Sequence, residues 1–148
     1  VQPKNIAVEI SETTIMENAE AIKQSIKQMK QLGIRVFVDD FGVASMPLKR
    51  LHEFHIDALK IDRSFVHSAV QNIEDLSIVK TILAMGEAMG IMVIAEGVET
   101  EVQADMLVEN GCDMVQGYLF GKPSNPKDVY QFFKPLPEEL KVQKEADG

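Results

Sequence analysis

Six carboxylates, one lysine and one glutamine of this 148-residue chain stand where short apolar runs give way to polar sequence. They are Glu9, Asp39 with Asp40, Lys60 with Asp62, Glu96 with Glu99, and Gln116. Adjacent carboxylates such as Asp39 and Asp40 repel one another. They belong together only where water, a cation or a hydrogen-bond donor compensates them. Several acids gathered with a lysine make an oxygen-rich site, which hard divalent ions such as Mg²⁺ and Mn²⁺ prefer. Taken singly, each residue has an ordinary explanation. Glu9 could lie on the surface of an edge strand, and Asp39 and Asp40 in an acid-rich turn. Lys60 and Asp62 could form a surface ion pair worth about 0–1 kcal/mol. Glu96 and Glu99 could complement a helix dipole. Their recurrence at one kind of position argues for a shared site.

The elements that would position them follow from periodicity and stop signals. Ile6 to Ile10 reads as a short strand carrying Glu9. Thr14 and Glu17 have capping-box spacing. Ile15, Ala19, Ile22, Ile26 and Met29 then predict one amphipathic helix. Gly33 ends it, and Ile34 to Val38 forms a buried strand running into the Asp pair. Pro47 opens a short helical or irregular stretch through Phe54, and Ile56 to Ile61 contains the next strand. A long helix is expected from Ile73 to Met89, with Leu76, Val79, Leu83 and Gly86 on one face and Gly90 as its stop. Ile91 to Ala95 reads as a strand ending in Glu96. Thr100 and Gln103 mark another helix start, and Gly111 its end. Asp113 to Val115 gives a very short strand before Gln116. Asn125 and Pro126 would open a last helix with Val129, Phe132 and Phe133 on its apolar edge. The charged, proline-containing end of the chain reads as a tail, which places a domain at 1–136 and a tail or linker at 137–148.

Strands alternating with helices imply an α/β fold with a parallel sheet. Polar residues collected at strand C-terminal ends mark the active face of such folds, whether the sheet closes into a barrel or stays open and doubly wound. Periodicity fits both.

Bulk properties narrow the partners. With 45% hydrophobic and 26% charged residues the chain has the composition of a single globular domain. A net charge of −8 argues against binding a long nucleic-acid backbone, which needs many Lys and Arg contacts. A small phosphorylated ligand held through a metal ion remains compatible, because the ion supplies the positive charge. No apolar run approaches the ~20 residues that cross a bilayer, so no direct membrane contact is expected. The lone Cys112 cannot form an internal disulfide and reads as a small buried residue. These features suggest a cytoplasmic domain, or the cytoplasmic part of a larger protein. His52, His55 and His67 read as surface or packing residues. Asp40-Phe41-Gly42 matches a kinase magnesium motif, but no glycine-rich ATP loop accompanies it.

Five blocks occur in order: Val8-Glu9-Ile10-Ser11-Glu12, Val38-Asp39-Asp40-Phe41-Gly42, Leu59-Lys60-Ile61-Asp62-Arg63-Ser64-Phe65-Val66, Ala95-Glu96-Gly97-Val98-Glu99-Thr100 and Gln116-Gly117-Tyr118-Leu119-Phe120. Together, over about residues 4 to 136, they resemble the EAL-domain family of cyclic di-GMP phosphodiesterases. The resemblance implies a TIM-like (β/α)₈ barrel and hydrolysis of cyclic di-GMP to linear pGpG with two Mg²⁺ or Mn²⁺ ions. It implies that Glu9, Asp39, Asp40 and Glu96 are metal ligands, with Asp39 bridging the ions. Lys60 would hold the attacking water and Glu96 act as ligand or general base. Asp62, Glu99 and Gln116 would support the site or contact substrate, and Glu12 would tether the loop after Asp40. Bacterial signalling, a homodimer and upstream sensory or GGDEF-type domains are the expected context.

Two departures from the family pattern shape the expectation. The Glu-Ala-Leu signature and the asparagine ligand that follows it do not occur among these residues, and a closed barrel takes ~250 residues. The expectation is therefore the C-terminal part of the domain, a partial barrel of about five parallel strands with its two-ion site incomplete, so that these residues alone are expected to be inactive. An open sheet edge of that kind would have to be covered, for instance by another chain. The loop after Asp40, usually Gly-Thr-Gly-Tyr-Ser-Ser in the family, here reads Gly42-Val43-Ala44-Ser45-Met46-Pro47. That motivates an alternative, a cyclic di-GMP receptor or interaction module without catalysis.

Overall fold

The computed structural model describes residues 2–44, 46–125 and 128. Strands β1 (Ala7–Ser11), β2 (Arg35–Phe41), β3 (Ala58–Ile61), β4 (Met92–Ala95) and β5 (Met114–Val115) form one parallel sheet in the order β1-β2-β3-β4-β5. Helices α1 (Glu12–Glu17) and α2 (Ala19–Gln31) connect β1 to β2, and α3 (Leu48–Phe54) connects β2 to β3. Helices α4 (Arg63–Ala69) and α5 (Ile73–Met89) lead to β4, and α6 (Glu101–Glu109) leads to β5. Each strand thus lies beside the one that precedes it in the chain, and all strand ends of one polarity share one rim. No helix among the described residues is long and apolar enough to cross a membrane.

The core lies between the sheet and its helices. Val36, Val38, Leu59, Ile61 and Val93 from the strands meet Ile15, Ile26, Leu51, Phe54, Val66, Val79 and Leu107 from the helices. All four residues of β3 are buried, as expected of a central parallel strand. Close packing has a local requirement at Gly86 of α5. A Cβ there would come 2.2 Å from Val93 Cγ2, so only glycine lets this helix lie so near β4.

Helix ends follow the stop signals at Gly33, Gly90 and Gly111, which all take positive φ. The Thr100–Gln103 capping box is formed, and α5 runs from Ile73 to Met89 as the periodicity predicts. Three expectations are corrected. The first helix begins at Glu12, because Ser11 Oγ accepts from the Thr14 N–H and caps it; Thr14 and Glu17 form no capping box. The apolar stripe from Ile15 to Met29 is divided into two helices at Asn18, whose φ of −130° and ψ of 37° leave the helical region. Helix α4 was not expected at all. Asp62, the residue directly after β3, caps it by accepting from the Ser64 N–H at 2.8 Å, so the strand exit is also a helix start. The helix expected after Asn125, the domain boundary at 136 and the tail lie outside the described residues, Asp128 excepted.

The N-terminal rim of the sheet is stitched by two acids. Asp57, just before β3, accepts from the Val36 N–H at 2.7 Å and pairs with Lys30 at 2.5 Å. Asp113, just before β5, accepts from the Val93 N–H at 2.8 Å. These bonds fix neighbouring strands, which leaves the opposite rim free for chemistry.

Candidate active site

Lys60 is the centre of the C-terminal rim. Its side chain is only 5% exposed, and its ammonium lies 2.7 Å from Glu9 Oε2, 2.7 Å from Glu96 Oε1 and 3.3 Å from Asp39 Oδ1. β1, β2, β3 and the end of β4 each contribute one of these residues. Burial alone would lower the Lys60 pKa. The hydrogen bonds to Glu9 and Glu96, with the Glu96 and Asp39 charges, outweigh it and push the ammonium well above the usual lysine range. Burial pushes the Glu96 carboxyl up; Lys60 pulls it down, and the Asp39 charge pushes it up again, leaving it raised.

The Asp pair reaches the same site by a backbone irregularity. In a regular strand Asp39 and Asp40 would point to opposite faces. The pairing of β2 with β3 shifts register between Val38 and Phe41, and Asp40 takes a φ of 52°. A left-handed conformation at a non-glycine residue costs roughly 1–2 kcal/mol. Its result is that Asp39, Asp40 and Glu96 each offer an oxygen within 4.8 Å of the others. Burial, then the Asp39 charge, raises the Asp40 carboxyl. The neighbouring Asp62 carboxyl, which burial alone would raise, is held below its ordinary range by the hydroxyl and N–H of Ser64.

These residues fit a hard cation. The donor set is all carboxylate. Asp39 Oδ1 is buried and, among the described residues, accepts no hydrogen bond, although the Lys60 ammonium is near. A buried anionic oxygen left without a donor is costly, and a cation would satisfy it.

Around the cluster the loops are fixed. The Glu12 carboxylate is 1% exposed and accepts from the N–H groups of Gly42, Ala44 and Met46 at 3.0, 2.8 and 2.8 Å. The altered loop after Asp40 is therefore held by three charge-assisted bonds despite its changed residues. Gly117 packs so closely on Val98 that a Cβ would meet its carbonyl oxygen at 2.1 Å. Asp40, Asp62, Arg63, Glu96, Glu99, Gln116 and Tyr118 line a cleft of about 260 Å³ at this rim.

The pattern of strands and acids has a family match. A model of the EAL domain matches residues 1–123. The chain belongs to the EAL-domain family. Within that family, the cyclic di-GMP phosphodiesterase NbdA of Pseudomonas aeruginosa is 37% identical over 118 residues, covering 80% of this chain and 15% of NbdA. A structure of the Pseudomonas aeruginosa phosphodiesterase MucR in complex with c-di-GMP superposes with a TM-score of 0.84 at 33% identity, over 87% of this chain and 52% of that one. BlrP1 of Klebsiella pneumoniae, in a complex with manganese and cyclic di-GMP, gives a TM-score of 0.78 at 29% identity, over 83% of this chain and 31% of that one. The chain thus spans only part of each of these relatives. The five parallel strands and flanking helices match EAL-domain TIM-barrel structures over part of their chains.

The structure brings Glu9, Asp39, Asp40, Lys60 and Glu96 together, with Asp62, Glu99 and Gln116 around the adjoining cleft and Glu12 beneath the loop. Arg63 and Tyr118 also line that cleft and carry no signal in a search for acids at strand ends. The signal that points to Arg63 is the Asp62-x-Ser64 capping pattern, which turns the chain into α4 just there.

Proposed function

We propose that this EAL domain supplies the metal-binding face of a phosphodiesterase that hydrolyses cyclic di-GMP to pGpG. The observation that carries the reading is the convergence of Glu9, Asp39 and Glu96 on Lys60, with Asp40 alongside and Asp39 Oδ1 buried without a donor. Glu9, Asp39, Asp40 and Glu96 would hold Mg²⁺ or Mn²⁺. When bound, such ions lower the pKa of a bound water and stabilise charge on a phosphoryl oxygen. The Lys60 ammonium has three donors and so can orient a water as well as carboxylates. Glu96, whose carboxyl is raised, is suited to accept the proton of that water. Asp62, Glu99 and Gln116 would position the dinucleotide in the cleft. The test is incubation of the complete protein with cyclic di-GMP and Mn²⁺, followed by chromatography. pGpG should accumulate, and its absence at full metal loading refutes the reading.

A second reading rests on Lys60 itself. The ammonium lies within 3.3 Å of three carboxylates and offsets part of their charge without an ion, which holds the rim together. A domain of that kind could bind cyclic di-GMP as a receptor. Calorimetric titration with the dinucleotide in EDTA separates the two: tight metal-independent binding without turnover selects the receptor, and turnover eliminates it.

A further inference from the structure

The segment from Glu96 to Glu99 has no regular secondary structure, yet it carries two acids of the site and is gripped from both sides. On one side lies the segment after β5. The Val98 N–H donates to Gln116 O and the Leu119 N–H to Val98 O, each at 3.0 Å. On the other side lies α4. Gly97 takes a φ of +69°, and a Cβ there would come 2.5 Å from Arg63 Cβ. His67, one turn further along α4, places Nε2 2.9 Å from Gly97 O. A carbonyl oxygen can only accept, so Nε2 carries the hydrogen in this bond whether or not the ring is charged. Glu99 Oε1 lies 3.8 Å from the same nitrogen, beyond hydrogen-bond reach.

We infer that His67 is a positioning residue of the site: its Nε2–H bond to Gly97 O pins the Gly97–Val98 peptide, one peptide on from Glu96, and so sets where the Glu96 carboxylate meets Lys60. The inference rests on the proposed hydrolase only for its consequence for turnover; the grip on Glu96 is a property of the fold. An ordinary surface histidine does not explain the 2.9 Å bond to a main-chain carbonyl thirty residues away. The ring is 44% exposed, so water competes for both partners and the effect is modest.

The test compares wild type, His67→Ala and His67→Gln in the complete protein. The glutamine keeps an N–H donor at similar reach. Without metal, NMR follows the Lys60 ammonium signal and the exchange of the Val98 and Glu99 amide hydrogens. Alanine should shift the Lys60 signal and speed exchange by about 2- to 10-fold, the range expected for one net hydrogen bond. Glutamine should restore both. Mn²⁺ affinity by calorimetry should follow the same order. An unshifted Lys60 signal with unchanged exchange in His67→Ala overturns the inference. So does an equal loss in both variants, which would make His67 a packing residue only. Wild-type protein that binds no Mn²⁺ refutes the hydrolase, and the metal-free comparison then still decides the role of His67.

Discussion

Replacing Lys60 with methionine tests the electrostatic centre of the site. The substitution keeps an unbranched side chain but removes the ammonium that faces Glu9, Asp39 and Glu96 at 2.7–3.3 Å. Removing one member of a buried charge pair costs about 3–5 kcal/mol. Here Glu9 and Asp39 are 45% and 30% exposed and can regain water, so a fair expectation is roughly 2–4 kcal/mol. For a chain of this size that corresponds to a fall in Tm of roughly 6–15 °C. The assay is thermal unfolding by circular dichroism, first in EDTA and then with saturating Mn²⁺. In EDTA the variant should melt well below wild type. Added Mn²⁺ should raise its Tm more than that of wild type, because the ion then replaces the ammonium lost from among Glu9, Asp39 and Glu96. A variant that melts within about 2 °C of wild type in EDTA would refute the reasoning, since the three carboxylates would then need no compensation.

Four further outcomes are expected. Asp39→Asn relieves like-charge crowding, so metal-free Tm should hold or rise while calorimetric Mn²⁺ affinity falls at least tenfold, on the order of one charged ligand. Glu12→Gln leaves one of three loop N–H groups facing an amide donor, a cost of about 1–3 kcal/mol, and hydrogen exchange at Gly42, Ala44 and Met46 should accelerate. Gly117→Ala should lower Tm and distort the cleft, because its methyl group meets Val98 backbone that cannot move aside; a crystal structure with an unmoved Val98 would contradict this. The fourth concerns pH. Asp40 and Glu96 have raised folded-state values, chiefly from burial, so their contribution is fully present below their unfolded values and is lost as pH rises through the folded ones. Asp62 is lowered, so its contribution is present above its unfolded value and lost as pH falls through the folded one. Metal-free Tm should therefore climb as pH falls from about 8 into the upper carboxylate range and drop below it, and melts across that range check the sign.

Much of this arrangement can be read from one-dimensional signals because they act locally. Gly33, Gly90 and Gly111 stop helices through their own backbone freedom, and Thr100 with Gln103 closes a capping box within four residues. Strand ends then place the acids on one rim, since parallel strands share polarity. What could not be read depends on competition or on distance. Ser11 outcompetes Thr14 as a cap because the chain leaves β1 directly into a helix. Helix α4 is only seven residues long, too short for its buried Val66 and Ala69 to show a period. The left-handed turn at Asp40 is invisible in composition, although it decides that adjacent aspartates share one face. The bond from His67 to Gly97 joins residues whose proximity exists only once β3 and β4 have paired.

Sheet order that equals chain order has a temporal consequence. During synthesis Glu9 and Asp39 emerge on the first two strands, and their shared counter-charge, Lys60, follows about twenty residues later. At ~5–20 residues per second a ribosome leaves that pair uncompensated for one to a few seconds. The two acids gain their shared counter-charge only when β3 docks beside β2, so the third strand completes the rim electrostatically as well as sterically.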